Sequence, residues 1–253
     1  MDALLELTYH AEQRHFWFRG FRRFVAPLLA QATAGIRYPR LLDAGCGTGA
    51  NLPFLAGYGT PFGLELYWRG LQFGHDRGLP RLTQGSVTAL PFATASVDVV
   101  VSFDVLYCLE TLSERAAIAE MYRVLRPGGG LIVNVAAMPM LTGDHSVMGG
   151  EVRRYTRSEL STKLERAGFR VTRITYTNAS ILPITVAVRT FQRLRGLKSG
   201  DDNQGDFYLP PRPVNALLAG VLAGEAALIR AGVSMPAGSS LLCLARKPIE
   251  PRS

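Results

Sequence analysis

A chain of 253 residues, 47% of them apolar, has the length and composition for one α/β domain with an elaboration around a sizeable core. Its three cysteines are scattered without metal or redox spacing, which excludes a disulfide-stapled scaffold and points to a reducing cytoplasm. A formal charge of +8 fits nucleic acid, anionic lipid, an anionic substrate or a solvated basic surface, and does not choose among them.

The opening MDALLELTYHAEQRHF alternates charged and apolar residues, so no secretory leader is expected there. Residues 2–33 read as helical, with a break near Gly20 and Pro27. HFWF (15–18) places three aromatics in a row. One amphipathic helix cannot bury them all on one face, so some should meet another element or a ligand. Short apolar strands follow at 40–44, 61–66, 81–84, 97–103 and 130–136. They lack alternation, which predicts strands covered on both faces. TLSE (111–114) and TRSE (156–159) both read as capping boxes before helices. RPGGG (126–130) should end a helix and turn the chain into the fifth strand. Strands alternate with helices, which predicts a mostly parallel sheet with crossover helices on both faces.

Residues 169–178 and 239–247 read as a sixth and a seventh strand. About sixty residues separate them, too many for a plain connection, and they read as an inserted helical cap over 180–238. The insertion holds the basic stretch RTFQRLRGLK, the polar loop KSGDDNQGD (198–206) and a Pro-led apolar helix. Its uncharged run, 213–224, stops at Glu225, well short of the roughly 20 residues of a membrane span, and predicts a packed helix. The expected organisation is therefore a single domain, with an N-terminal helical cap (1–38), a core (39–179 and 239–248) and the inserted cap.

LLDAGCGTGA (41–50) is the stretch most informative about function. Gly45-x-Gly47-x-x-Ala50 fits the dinucleotide fingerprint in its Gly/Ala form. Asp43-x-Gly45-x-Gly47-x-Gly49 fits an S-adenosylmethionine loop equally well. Either ligand would use an acid at the end of the second strand for its ribose hydroxyls, and Glu65 stands there. Asp43 separates the two. Beside a pyrophosphate its carboxylate would be repelled by roughly 1–4 kcal/mol. Beside a ligand carrying an ammonium and a sulfonium it would be attracted, so electrostatics favours the second reading.

With these residues the chain resembles the class I S-adenosylmethionine-dependent methyltransferases, and within them the methyltransferase type 11 family. LLDAGCGTG matches the first motif over its length, and FGLELYWRGLQFG (62–74) resembles the second-strand motif. QGSVTALPFATASVDVVVSFDVLYCLE (84–110) resembles the third and fourth strands, and MYRVLRPGGGLIVNV (121–135) the helix and fifth strand. HFWFRGFRR, VRRYTRSEL and the late PPRPVN…SMPAGSSLLCLARK resemble a bacterial subgroup more loosely. The resemblance implies a Rossmann-like, seven-stranded, mostly parallel sheet with helices on both faces and an antiparallel last strand. It implies S-adenosylmethionine as cofactor, bound by Asp43, Gly45, Cys46, Gly47, Gly49, Glu65, Leu66, Ser86, Val87 and Phe103. The chain departs from the family at Ser86, where an acid is common, and at Tyr107-Cys108, where Glu-His is common. In the subgroup's His-Asp and later His positions, His145 keeps the first and Ser146 and Glu151 replace the others.

Methyl transfer needs alignment of nucleophile and methyl, and no metal. A base is needed only for a protonated nucleophile, and His145 is the first candidate, with Tyr107 as a second catalytic residue. Trp17, beside Phe16, is expected to line the pocket, since an aromatic face suits a sulfonium. Arg154, beside Arg153, is expected to bind an anionic substrate group, and Tyr155 joins it as a substrate residue. The fourth strand lacks the Asn/Asp-Pro-Pro-aromatic motif of adenine methylation, and no cytosine-C5 cysteine motif is present. A small or lipid-like acceptor is expected rather than nucleic acid. Two alternatives stand beside a small-molecule methyltransferase. One is action on a membrane-embedded lipid, with RTFQRLRGLK making peripheral membrane contact; the other is cofactor binding without methyl transfer. No feature predicts an oligomeric state.

Overall fold

A computed structural model describes residues 2–196 and 209–249 of the protein, without the side chains of His145 and Met148. The predicted loop 198–206, and Lys198 with it, lies outside the described residues.

Two helices, α1 (Asp2–Ala11) and α2 (Phe16–Thr33), precede the sheet. The chain then runs β1 (Arg40–Ala44), α3 (Leu52–Leu55), β2 (Thr60–Glu65), α4 (Trp68–Asp76), β3 (Leu82–Gln84) and β4 (Val97–Phe103). It continues through α5 (Thr111–Val124), β5 (Leu125–Ala136), α6 (Asp144–Met148), α7 (Arg157–Arg166) and β6 (Arg170–Thr177). The inserted helices α8 (Leu182–Leu194) and α9 (Arg212–Arg230) lead into β7 (Ser240–Arg246). The seven strands lie in the order β3-β2-β1-β4-β5-β7-β6. β7 is antiparallel to both its neighbours, and the other pairs are parallel. The order reverses between β1 and β4, and at such a switch point the loops at the strands' carboxyl ends leave a crevice.

Strand residues alternate between two cores. Leu42, Val100, Leu131 and Val133 face Met121 of α5 and Leu160 of α7. Leu41, Val99, Val101 and Ile132 face Phe24 and Leu28 of α2 and Leu222 and Ile229 of α9. Burial on both faces is why these strands read as unbroken apolar runs.

Three sequence expectations are corrected. The N-terminal break lies at 12–15, not at Gly20 or Pro27, both of which sit inside α2. His15 caps α2 by accepting from the Trp17 amide at 3.2 Å. Asn215 of α9 clips the corner, accepting from the Phe16 amide and donating to the Arg14 carbonyl. Gly20 serves the α2–α9 crossing instead, since a Cβ there would lie 2.5 Å from Leu222 Cδ1. Next, the fifth strand begins at Leu125 rather than 130. Val97 pairs with Leu125 and Val99 with Gly130, so the glycines form an irregularity within the strand. Finally, TLSE forms no capping box. Glu110 is the N-cap of α5, without a side-chain bond, and Glu114 is buried elsewhere. The second box, Thr156 with Glu159, is formed.

α9 is longer than the uncharged run suggested. Its 19 residues are long and apolar enough to cross a membrane by length and composition. One face packs on the core through Ala219, Leu222, Ala226 and Ile229. Glu225 is buried with them and ends a hydrogen-bonded junction: it accepts from the Ala179 amide at 3.0 Å, the Ser180 amide at 2.9 Å and the Ser180 hydroxyl at 2.6 Å.

Candidate active site

A cavity of about 820 Å³ opens at the carboxyl ends of β1, β2, β4 and β5. Its floor includes Asp43, Gly45, Cys46, Gly47, Glu65, Gly85, Ser86, Val87 and Phe103. Its roof comes from α1 (Leu4, Leu5, Thr8), α2 (Phe16, Trp17, Phe18, Phe21) and α8 (Ile184, Val188). All three residues of the aromatic run at 16–18 line the cavity, and Trp17 also stacks parallel to Phe21 at 5.5 Å.

The glycine loop is tightly built. Gly45 takes φ +92°, and a Cβ there would lie 2.4 Å from Val105 Cγ2. The amides of Gly45 and Cys46 both donate to the Leu64 carbonyl, and that of Gly49 to the Cys46 carbonyl. The Gly47 amide donates to Glu65 Oε2 at 2.8 Å, while Glu65 Oε1 accepts from the Tyr67 amide at 3.0 Å. Four loop amides are thus already engaged within the fold. The loop instead presents carboxylates. Asp43 is 1% exposed, and neither of its oxygens has a hydrogen-bond partner. Burial first, and then the charge of Glu65, push its carboxyl up to about 7. A buried carboxylate left without a partner is costly unless a cation arrives. That fits the ammonium of S-adenosylmethionine, and the Asp43–Glu65 corner disfavours a pyrophosphate.

Of the other cofactor candidates Leu66 also lines the cavity, whereas Gly49 does not. Gly49 takes φ +76° against Leu79. Burial, with Asp43 and Glu65 nearby, holds the Cys46 thiol protonated. The Ser86 hydroxyl lies 2.7 Å from that of Thr88 and accepts from the Thr88 amide, so it shapes the turn that carries Val87 into the wall. Leu66 is exposed at the rim. Phe103 meets Phe21 edge-on at 4.9 Å.

A second carboxyl, Asp104, was not singled out from the sequence. It follows β4 directly and takes φ +61°, a left-handed conformation that Asp tolerates better than most residues. Its amide donates to the Asn134 carbonyl at 3.0 Å, and Asn134 Nδ2 donates to its Oδ1 at 2.9 Å. Asp104 is half-buried by surface area, yet it lines the cavity deep among protein atoms. Burial pushes its carboxyl up to about 7; the Asn134 bond and Arg154 oppose this and Glu151 adds to it. Tyr107 and Cys108, on a short 3₁₀ turn at Leu106–Cys108, also line the cavity. Burial, with Asp104 close by, keeps the Tyr107 hydroxyl protonated and pushes the Cys108 thiol up to about 12. The sequence signal for Asp104 was an acid immediately past the fourth strand in SFDVLYC.

The expected substrate residues separate. Trp17 lines the cavity. Arg154 also lines it, but its donors are engaged: Nε and Nη2 with Glu151 at 2.5 and 2.9 Å, Nη1 with the Ala137 carbonyl and Nη2 with Ser146. It is a structural ion pair rather than a free anion receptor. Tyr155 does not line the cavity; it is 1% exposed in the core, donating to Glu114 Oε1 at 2.5 Å. Arg153 donates to Glu114 Oε2, and Lys163 pairs with the same carboxylate. His145 lies on α6, and its side chain is outside the described residues. Among the described residues no group of three or more His, Cys, Asp or Glu side chains is placed to hold a metal ion.

The N-terminal cap locks onto the glycine loop through residues the sequence did not flag. The Thr48 hydroxyl donates to Glu12 at 2.7 Å, and Arg77 donates to the Thr48 carbonyl at 2.8 Å while pairing with Glu12. Arg77 also covers Tyr9, which stacks on Phe73.

The profile of the methyltransferase domain family matches residues 42–133. A Mycolicibacterium smegmatis protein named as an S-adenosylmethionine-dependent methyltransferase is 33% identical over 165 residues, covering 63% of this chain and 61% of that one. The malonyl-[acyl-carrier protein] O-methyltransferase of Enterobacter lignolyticus is 29% identical over 135 residues, covering 47% of each. The chain thus spans less than two thirds of the length of either relative. A chain solved in the complex of the Haloferax volcanii Trm112 methyltransferase activator shares the fold, with a TM-score of 0.63 and 18% identity over 100% of this chain and 97% of that one. S-adenosylmethionine is the family's cofactor, and the residues at the carboxyl end of the sheet suit it. The motifs, the strand order, the Asp43–Glu65 corner and these likenesses together support a class I S-adenosylmethionine-dependent methyltransferase domain, matched over residues 42–133.

Proposed function

We propose that the protein transfers a methyl group from S-adenosylmethionine to an apolar or lipid-like small molecule. The observation that carries this is the cavity's continuity. It runs from the Asp43–Glu65 corner along Phe16, Trp17 and Phe18 to the aliphatic Ile181, Ile184, Val188 and Leu218. A volume of about 820 Å³ lies within the range of pockets that enclose whole small molecules.

The cofactor, when bound, supplies an electrophilic methyl. Asp43 is suited to neutralise its ammonium, and Glu65 keeps lone pairs for the ribose while holding the loop amides. Asp104 is suited to take a proton from an acceptor hydroxyl or ammonium. Asn134 holds its other oxygen, and a value near 7 lets it gain and lose a proton at neutral pH. The aromatic and aliphatic walls exclude water and hold the acceptor in line.

The test is incubation with methyl-tritiated S-adenosylmethionine and a total cell extract, followed by solvent partition. Label entering the organic phase is the expected outcome. Label confined to water-soluble products would overturn the apolar acceptor. No label, with calorimetry still showing S-adenosylhomocysteine binding, would leave a cofactor-binding protein without transfer.

A further inference from the structure

Helix α8 carries its polarity on the wrong sides for a helix covering a core. Its buried side chains are Arg189 and Gln192. Arg189 donates to Gln192 Oε1 at 2.8 Å, and that oxygen also accepts from the Asp144 amide at 3.4 Å. Gly143 admits the pair, since a Cβ there would lie 2.4 Å from Arg189 Cδ. Arg195 then pairs with Asp144. The apolar residues lie outward at helical spacing: Ile184, Val188, Phe191 and Leu194 are exposed by 60, 44, 66 and 82%. A helix packed for water would reverse this arrangement.

Charge indicates what covers the stripe. The exposed charges of α8 and its cap are Arg193 and Arg195, the latter paired with Asp144, and those of α9 are Arg212 and Arg230. α8 has no acidic residue, and the one acid of α9, Glu225, is buried. Among the described residues of the two helices, the apolar stripe is flanked by exposed arginines and no exposed acid, which suits an anionic, apolar surface. The stripe is also continuous with the cavity, because Ile184 and Val188 line it from α8 and Leu218 lines it from α9.

We propose that α8 lies on an anionic lipid bilayer. Ile184, Phe191 and Leu194 enter the acyl boundary, Arg193 meets the headgroups, and the cavity opens toward the lipid beside Val188. Docking stands apart from the methyl-transfer reading; only the entry of an apolar acceptor from the bilayer rests on it.

The test is co-sedimentation of the full chain with vesicles of phosphatidylglycerol and phosphatidylcholine, beside pure phosphatidylcholine. The variants are Phe191→Asp/Leu194→Asp and Arg193→Glu; none of these three residues lines the cavity. The wild type should sediment with anionic vesicles, more weakly with neutral ones and less as salt rises. The double aspartate variant should lose at least tenfold in partitioning and Arg193→Glu severalfold, with melting temperature and S-adenosylhomocysteine affinity unchanged. Wild type remaining in the supernatant at low salt would overturn docking, and so would full sedimentation of the double variant. A concentration-dependent dimer that the aspartates dissolve, without vesicle binding, would assign the stripe to a second copy and also overturn it. Unchanged cofactor affinity in these cases would leave the methyltransferase assignment intact.

Discussion

Asp43 shows how far one side chain determines the ligand. Its carboxyl stands near 7 in the folded chain and near 4 in the unfolded one. A raised carboxyl contributes its full stability below about pH 4 and loses it as pH rises through 7, by roughly 4 kcal/mol at most. Asp43→Asn should therefore melt several degrees higher than wild type at pH 8, where wild type carries the buried charge, and should lose cofactor affinity. Wild-type affinity should strengthen as pH rises through 7, because the ionised carboxylate attracts the ammonium. Differential scanning and calorimetric titrations at pH 5.5 and 8 check both signs. Glu65→Gln should weaken S-adenosylhomocysteine binding by about 1.5–3 kcal/mol. Glu65→Ala should also destabilise the fold, since the Gly47 and Tyr67 amides lose their acceptor. Asp104→Asn should slow transfer by about 10²–10⁴-fold and remove a rate inflection near pH 7, with cofactor affinity kept. An unchanged pH–rate profile would deny Asp104 the proton. Arg154 and Tyr155 carry the complementary lesson. A residue's chemistry was legible, but its partners were not: Glu151 stands only three residues from Arg154 yet its pairing was not read, and Glu114 reaches Tyr155 only because the chain folds that way.

At the scale of elements, strands were legible because burial on both faces writes itself as apolar runs. Helix ends were less so. TRSE and TLSE look alike, but Glu114 is drawn into the Tyr155–Arg153–Lys163 cluster and Glu159 is not. Glu225 read as a charge ending an apolar run; in the fold it accepts the amides at the start of α8. Glu225→Ala should cost about 1–3 kcal/mol by removing the charged acceptor of three part-buried hydrogen bonds. Urea melts give the loss. Hydrogen exchange should quicken over residues 179–195 while β1 and β4 stay protected; uniform quickening would show that Glu225 holds the whole core rather than this junction.

At the scale of the molecule, the N-terminal helices are part of the site. Leu4, Leu5, Thr8 and Phe16 line the cavity, and Glu12 fixes Thr48 of the glycine loop. Saturating S-adenosylhomocysteine should therefore slow hydrogen exchange over residues 4–18 as well as over 43–51. Protection confined to the glycine loop would show that the cap does not close on the cofactor. The net charge of +8 divides at this scale too: Arg77, Arg123 and Arg154 are held in ion pairs, while Arg193, Arg212 and Arg230 face outward.

The sequence alone determined the class of fold, the glycine loop and the two acids at the ends of the first two strands. Each is a local pattern: unbroken apolar runs, close glycine spacing, an acid at a strand's end. Tertiary structure decided the rest. It moved the N-terminal break to 12–15 by clipping the corner to Asn215, and it took Tyr155 from the substrate list into the core. It brought Asp104 to Asn134 and turned the apolar side of α8 outward. The physical reason is the same in each case. These outcomes depend on contacts between residues far apart in the chain, and no local spacing records which buried polar group will find which partner.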